Sequence, residues 1–136
     1  MKHYLMFGCL LLSMPAFAQK ISESKVPAAV KAAFSSKFPA ATGVKWEMEQ
    51  KNYEAGFKEN HQHISAVFDT KGTWMETETP IPATDLPEAA RKYIARHYKG
   101  IRMKETARIE KADGTVNYEA EISGKDIIFD SKGTLL

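Results

Sequence analysis

His61 and His63, two residues apart, are the nearest thing in this chain to a metal-ligand pair. On an extended strand they would lie on the same side, as two ligands might. A zinc site usually takes three or four protein ligands. The remaining histidine of this region, His97, occupies a helical position that aligns with Lys37 and reads as exposed. A nucleophile would need a base and an orienting partner. Ser35, Ser36 and Ser65 have no motif around them, and no glycine-rich phosphate loop is present. The one cysteine, Cys9, lies near the start, where it cannot serve a thiolate site in the body of the chain. Glu47 and Glu49 alternate with lysine and read as a solvated face. The segments Asp69-Thr70-Lys71-Gly72 and Asp130-Ser131-Lys132-Gly133 resemble short calcium loops. They lack the further oxygen ligands such a loop needs. They read as turns, with the aspartate accepting from the turn backbone and glycine supplying a positive φ. No enzyme activity and no cofactor are expected. A metal or small-ligand site on His61 and His63 is the alternative reading.

Charge and hydropathy narrow the class. The 136 residues carry 19 Lys and Arg against 17 Asp and Glu, a formal charge of +2. That gives no basic field for nucleic acid. The first residues read as an export signal: a basic start at Lys2, an apolar run from Tyr4 to Leu12, and Ala16-Phe17-Ala18 before Gln19. The apolar run is too short to span a bilayer. Cys9 precedes most of that run, so it does not suit a lipoprotein signal. Cleavage after residue 18 would leave a cysteine-free chain in the periplasm or outside the cell, with no membrane span. Such a chain needs no disulfide framework, because it can bury a reasonable core unaided.

The elements that would position any site come in two copies. Val26-Pro27-Ala28-Ala29 recurs as Leu86-Pro87-Glu88-Ala89, and Asn52-Tyr53-Glu54-Ala55 as Asn117-Tyr118-Glu119-Ala120. Phe68-Asp69-Thr70-Lys71-Gly72-Thr73 recurs as Phe129-Asp130-Ser131-Lys132-Gly133-Thr134. The order is preserved, at offsets of 60, 65 and 61 residues. Each copy opens on a helix entered through proline. Val30, Ala33, Phe34 and Phe38 form one apolar stripe, and Ala90, Tyr93, Ile94 and Tyr98 the other. Two-residue alternation follows, as in Val44, Trp46 and Met48, then Tyr53, Ala55 and Phe57, then Ile64, Ala66 and Phe68. Strands are also expected over 73–79, 104–111, 116–123 and 125–130. Prolines 80 and 82 mark a linker. The expected fold class is α+β, a tandem duplication of a helix followed by a four-stranded antiparallel sheet. The expected units are a signal over 1–18 and repeats over 19–79 and 80–136, together one compact domain.

These motifs resemble the PepSY-like family of Bacteroidota envelope proteins, also labelled β-lactamase-inhibitor-like. The resemblance covers about residues 24–136 and rests on the Pro-x-Ala helix start, Tyr-Glu-Ala, Phe-Asp-x-Lys-Gly-Thr-Trp and Glu-Thr-Glu. It implies a secreted, non-catalytic binding protein with a β-lactamase-inhibitor-protein-like architecture. It brings no catalytic residues, and the inhibitor's disulfides are absent.

A binding protein of this design would use the sheet face that its helices leave open. The strand that sends Ile64, Ala66 and Phe68 inward sends His63, Ser65 and Val67 outward. If Phe68 faces Thr73 across the turn, Trp74 is outward too, and Ile128 and Leu135 are the equivalents in copy two. Val67, Trp74, Ile128 and Leu135, beside His63, then form an apolar band rimmed by Lys45, Glu47, Glu49, Glu54 and Lys58. That is the anatomy of a surface for an envelope protein or peptide. Trp46 is expected in the core and Trp74 in solvent.

Overall fold

The computed structural model describes residues 18–136. The expected signal and Cys9 lie outside the described residues, apart from Ala18. The described residues form eight strands and two α-helices: β1 (Gln19–Ile21), α1 (Ala28–Lys37), β2 (Thr42–Glu49), β3 (Asn52–Glu59), β4 (Gln62–Phe68) and β5 (Trp74–Pro80), then α2 (Glu88–His97), β6 (Met103–Lys111), β7 (Val116–Ile122) and β8 (Lys125–Phe129).

Each helix begins directly after its proline. The carbonyls of Pro27 and Pro87 accept from the amides of Lys31 and Arg91. Proline suits this place because its missing N–H would have no helical partner. Phe38 and Tyr98 close the helices by donating to Phe34 and Ile94. Val30 and Phe34 bury one face of α1, and Ala90 and Ile94 the matching face of α2.

The strands form one antiparallel sheet in chain order, β1 to β8. This corrects the expected pair of four-stranded sheets. The two halves are joined by β5 and β6, paired from Glu76 opposite Lys111 to Pro80 opposite Ala107. The second half contributes three strands, followed by an isolated bridge between Phe129 and Leu135. An eighth strand, β1, which the alternation did not signal, pairs with β2 at the sheet's edge. Unpaired strand edges expose backbone donors and acceptors, and joining them satisfies these groups.

Both helices lie on one face. Under α1, Phe34 meets Trp46 and Phe57 edge-on at ring distances of 5.3 and 5.2 Å. Ala55, Ala66 and Phe68 complete that core with no exposure. Under α2, Ala120, Ile122 and Phe129 are fully buried, and Tyr93 meets Phe129 edge-on at 5.7 Å. The alanines let each helix approach its strands closely.

The Asp-x-Lys-Gly segments are turns. Asp69 Oδ1 accepts from the amides of Lys71 and Thr73 at 2.8 and 2.9 Å. Asp130 accepts from those of Lys132 and Thr134, both at 2.9 Å. The backbone bonds from Thr73 and Thr134 hold the two carboxyls below the usual aspartate range. The glycines do more than turn the chain. A Cβ on Gly72 (φ +84°) would lie 2.6 Å from Ala29 O, and one on Gly133 (φ +85°) 2.6 Å from Ala90 N. Each turn therefore rests on the first turn of its helix.

Candidate binding face

Directly opposed residues in antiparallel strands share a face. One cross-strand row on the uncovered face runs Lys45, Gly56, Ser65, Glu78, Ile109 and Asn117. The next runs Lys58, His63, then Pro80, Ala107, Glu119 and Ile128. No described helix packs on this side, yet Ala107, Ile109 and Asn117 are only 4, 7 and 6% exposed. The sheet curls enough for its own side chains to cover the middle. The hollow holds about 1070 Å³ and is floored by Gly56, Ser65 and Ala107. Lys45, Lys58 and His63 line it from β2 to β4, and Glu78, Lys104 and Glu105 from β5 and β6. Small floor residues are what leave this space open.

Carboxylates dominate the face across β5 to β8. Burial, then the charges of Glu78, Asp126, Glu121 and Glu105, push the Glu119 carboxyl up to about 8. Burial, then Glu54, Asp126, Glu76 and Glu105, push Glu78 up to about 6. Glu54 is also raised, chiefly by burial, against a hydrogen bond from Ser65 that lowers it. Lys104 pairs with Glu121 at 3.2 Å. Asn117 Oδ1 is buried on this face and has no hydrogen-bond partner among the described residues.

The candidate residues divide between the two faces. Val67 lies on the open face between Glu54 and Glu76, and Ile128 lies there opposite Glu119. Trp74 does not join them. A bulge shifts the register so that Trp74 faces Phe68 while Glu76 faces Val67. Met75 is the extra residue, and it reverses the side on which Trp74 emerges. Trp74 packs half-buried against the first core. Its Nε1 donates to Thr77 Oγ1 at 2.9 Å, and Lys37 Nζ sits 3.7 Å from its ring centroid. Leu135 bridges Phe129 and so belongs to the helix side as well. The expected apolar band is therefore broken, and its two open-face members are separated by carboxylates. The expected rim of Lys45, Glu47, Glu49, Glu54 and Lys58 does lie on the open face.

His63 lines the hollow opposite Lys58. His61 is not on the strand. With Asn60 it forms the two-residue turn between β3 and β4, at φ +64° and +49°. Two positive φ values match the right-handed twist of a tight hairpin. Among the described residues no group of three or more His, Cys, Asp or Glu is placed to hold a metal ion. Glu78, Glu119, Asn117 and Ile109 went unrecognised as face residues. Their signal was Glu-Thr-Glu in β5 and Glu-Ala-Glu in β7, a carboxylate at every second position.

A curved antiparallel sheet backed by helices on one side only defines a class of small α+β proteins. Within it, the chain belongs to the family described as "Putative beta-lactamase-inhibitor-like, PepSY-like", which matches residues 16–65 and 51–136. Similar solved structures carry the same fold. A DUF2874 family protein from Bacteroides uniformis is 23% identical, with TM-score 0.71 over 81% of this chain and 86% of that one. A protein from Bacteroides eggerthii, provisionally described as periplasmic, is 20% identical, with TM-score 0.73 over 82% and 86%. A BLIP-like protein from Bacteroides fragilis is 22% identical, with TM-score 0.64 over 81% and 82%. No curated protein matches the sequence. No described helix is long and apolar enough to cross a membrane.

Proposed function

We propose that this is an exported, non-catalytic binding protein of the periplasm that docks or inhibits an envelope protein through the hollow of its open face. The observation carrying this reading is the 1070 Å³ hollow on the one sheet face that no helix covers. Shape supports it: a concave sheet receives a convex surface, and Gly56, Ser65 and Ala107 keep the floor low. The export pattern at residues 1–18 and the provisional description of the Bacteroides eggerthii relative support a periplasmic location. Residues 19–79 and 80–136 are read as two copies of one unit, because the same aspartate turns rest on the same helix starts in both halves. Ser65→Trp fills the hollow from a half-buried position without touching either core. The variant should melt like the wild type but lose the proteins that wild type captures from envelope extract. Equal capture by both would refute docking through this face.

A further inference from the structure

The geometry points to an arginine-bearing segment of a protein partner as the occupant of the open face between β5 and β8. This inference rests on the docking reading and names the chemistry of the partner's side. Glu76, Glu78, Glu119, Glu121 and Asp126 all project from this part of the face. Lys104, on Glu121, and Lys111, opposite Glu76, are the bases that answer them. The whole chain is nearly charge-balanced, so this excess reflects placement rather than composition. It makes the stretch complementary to a cation.

Asn117 supplies an independent observation. It is 6% exposed, and its Oδ1 accepts from nothing. A buried acceptor without a donor is destabilising. Asn117 stands two residues from Glu119 on the same side of β7, and in one row with Glu78 across Ile109. A group that answers both Asn117 and Glu119 is an N–H donor that also carries positive charge. Guanidinium fits better than ammonium, since its planar fork of donors can reach a carboxylate and a carbonyl together. Burial and then the neighbouring carboxylates raise Glu119 and Glu78, and an arriving cation would lower both.

Nona-arginine peptide titrated into the full protein by calorimetry at physiological ionic strength tests this. Glu78→Gln with Glu119→Gln should weaken binding about tenfold or more. Glu23→Gln with Glu88→Gln makes the same pair of substitutions on the helix side and should change it less than about twofold. Asn117→Leu, which keeps the number of side-chain heavy atoms and removes the acceptor, should weaken it severalfold while circular dichroism stays unchanged. No binding, or equal weakening by the two glutamine pairs, overturns the proposal. Capture from envelope extract separates the two readings. Partners lost with Ser65→Trp and with Glu78→Gln/Glu119→Gln support both. Partners lost only with Ser65→Trp leave docking standing and overturn the arginine assignment. Partners retained by both variants overturn docking too.

Discussion

Gly133→Ala should be among the most damaging small substitutions in this protein, and Gly114→Ala gives its internal control. Both glycines sit at φ +85°. Any L-residue there costs roughly 1–2 kcal/mol. At Gly114 nothing lies within 4 Å of an added Cβ, so that cost is the whole effect. At Gly133 the Cβ would meet Ala90 N at 2.6 Å and the Cβ atoms of Ala89 and Pro87 at 3.0 Å. These belong to the first turn of α2 and cannot rotate aside, so the helix must lift from the sheet. Overpacking of this kind adds roughly 1–3 kcal/mol. The expected loss is therefore about 2–5 kcal/mol for Gly133→Ala against about 1–2 kcal/mol for Gly114→Ala, out of a total stability on the order of 5–15 kcal/mol. Urea unfolding of the two variants, with midpoint and slope fitted together, measures the difference. Equal midpoints would refute the claim that the turn is clamped to the helix.

Stability should fall as pH rises from about 4.5 to about 8, the folded value of Glu119. A folded carboxyl raised above its unfolded value keeps its proton longer, so the unfolded state gains as pH climbs through that window. Glu119→Gln should flatten the profile by roughly 1–2 kcal/mol, after discounting for its partial exposure, and unchanged curvature in urea midpoints at pH 5 and 9 would contradict this. Trp74→Ala should cost about 2 kcal/mol in thermal unfolding, since it strips a half-buried ring from the first core; an unchanged melt would return Trp74 to the solvent side. In single-tryptophan variants Trp46 should resist all quenchers, while caesium should reach Trp74 only after Lys37→Ala removes the ammonium over its ring.

The helices, the seven longer strands and the aspartate turns were all legible in residue spacing. Proline entries, apolar stripes and two-residue alternation are local signals, and these elements satisfy them locally. The join between halves was not legible, because backbone edges carry no side-chain code for which edge they meet. Strand β1 escaped because three residues are too few to show alternation. The tryptophan was misplaced by a single bulged residue, Met75, since parity counted along a strand reverses at every bulge. The candidate face was found in part: its lysine-bearing rim came from β2 and β3, but the search for an apolar band passed over the alternating glutamates of β5 and β7. The burial of Asn117 depends on the sheet's curl, which no local pattern encodes.

The seam between β5 and β6 is made of backbone, from Glu76 opposite Lys111 to Pro80 opposite Ala107, extended by Ile81 and Thr106 bonding each other's main chains. A junction of that kind fixes geometry and, apart from the Thr106 hydroxyl that donates to Ile81 O, rests on the main chain. Each half can then change the residues it shows on the open face without loosening the other. The hollow takes Lys45, Lys58 and Glu78 from the first half and Lys104 and Glu105 from the second. Under the docking proposal, a scaffold so joined can change its partner by altering one half at a time.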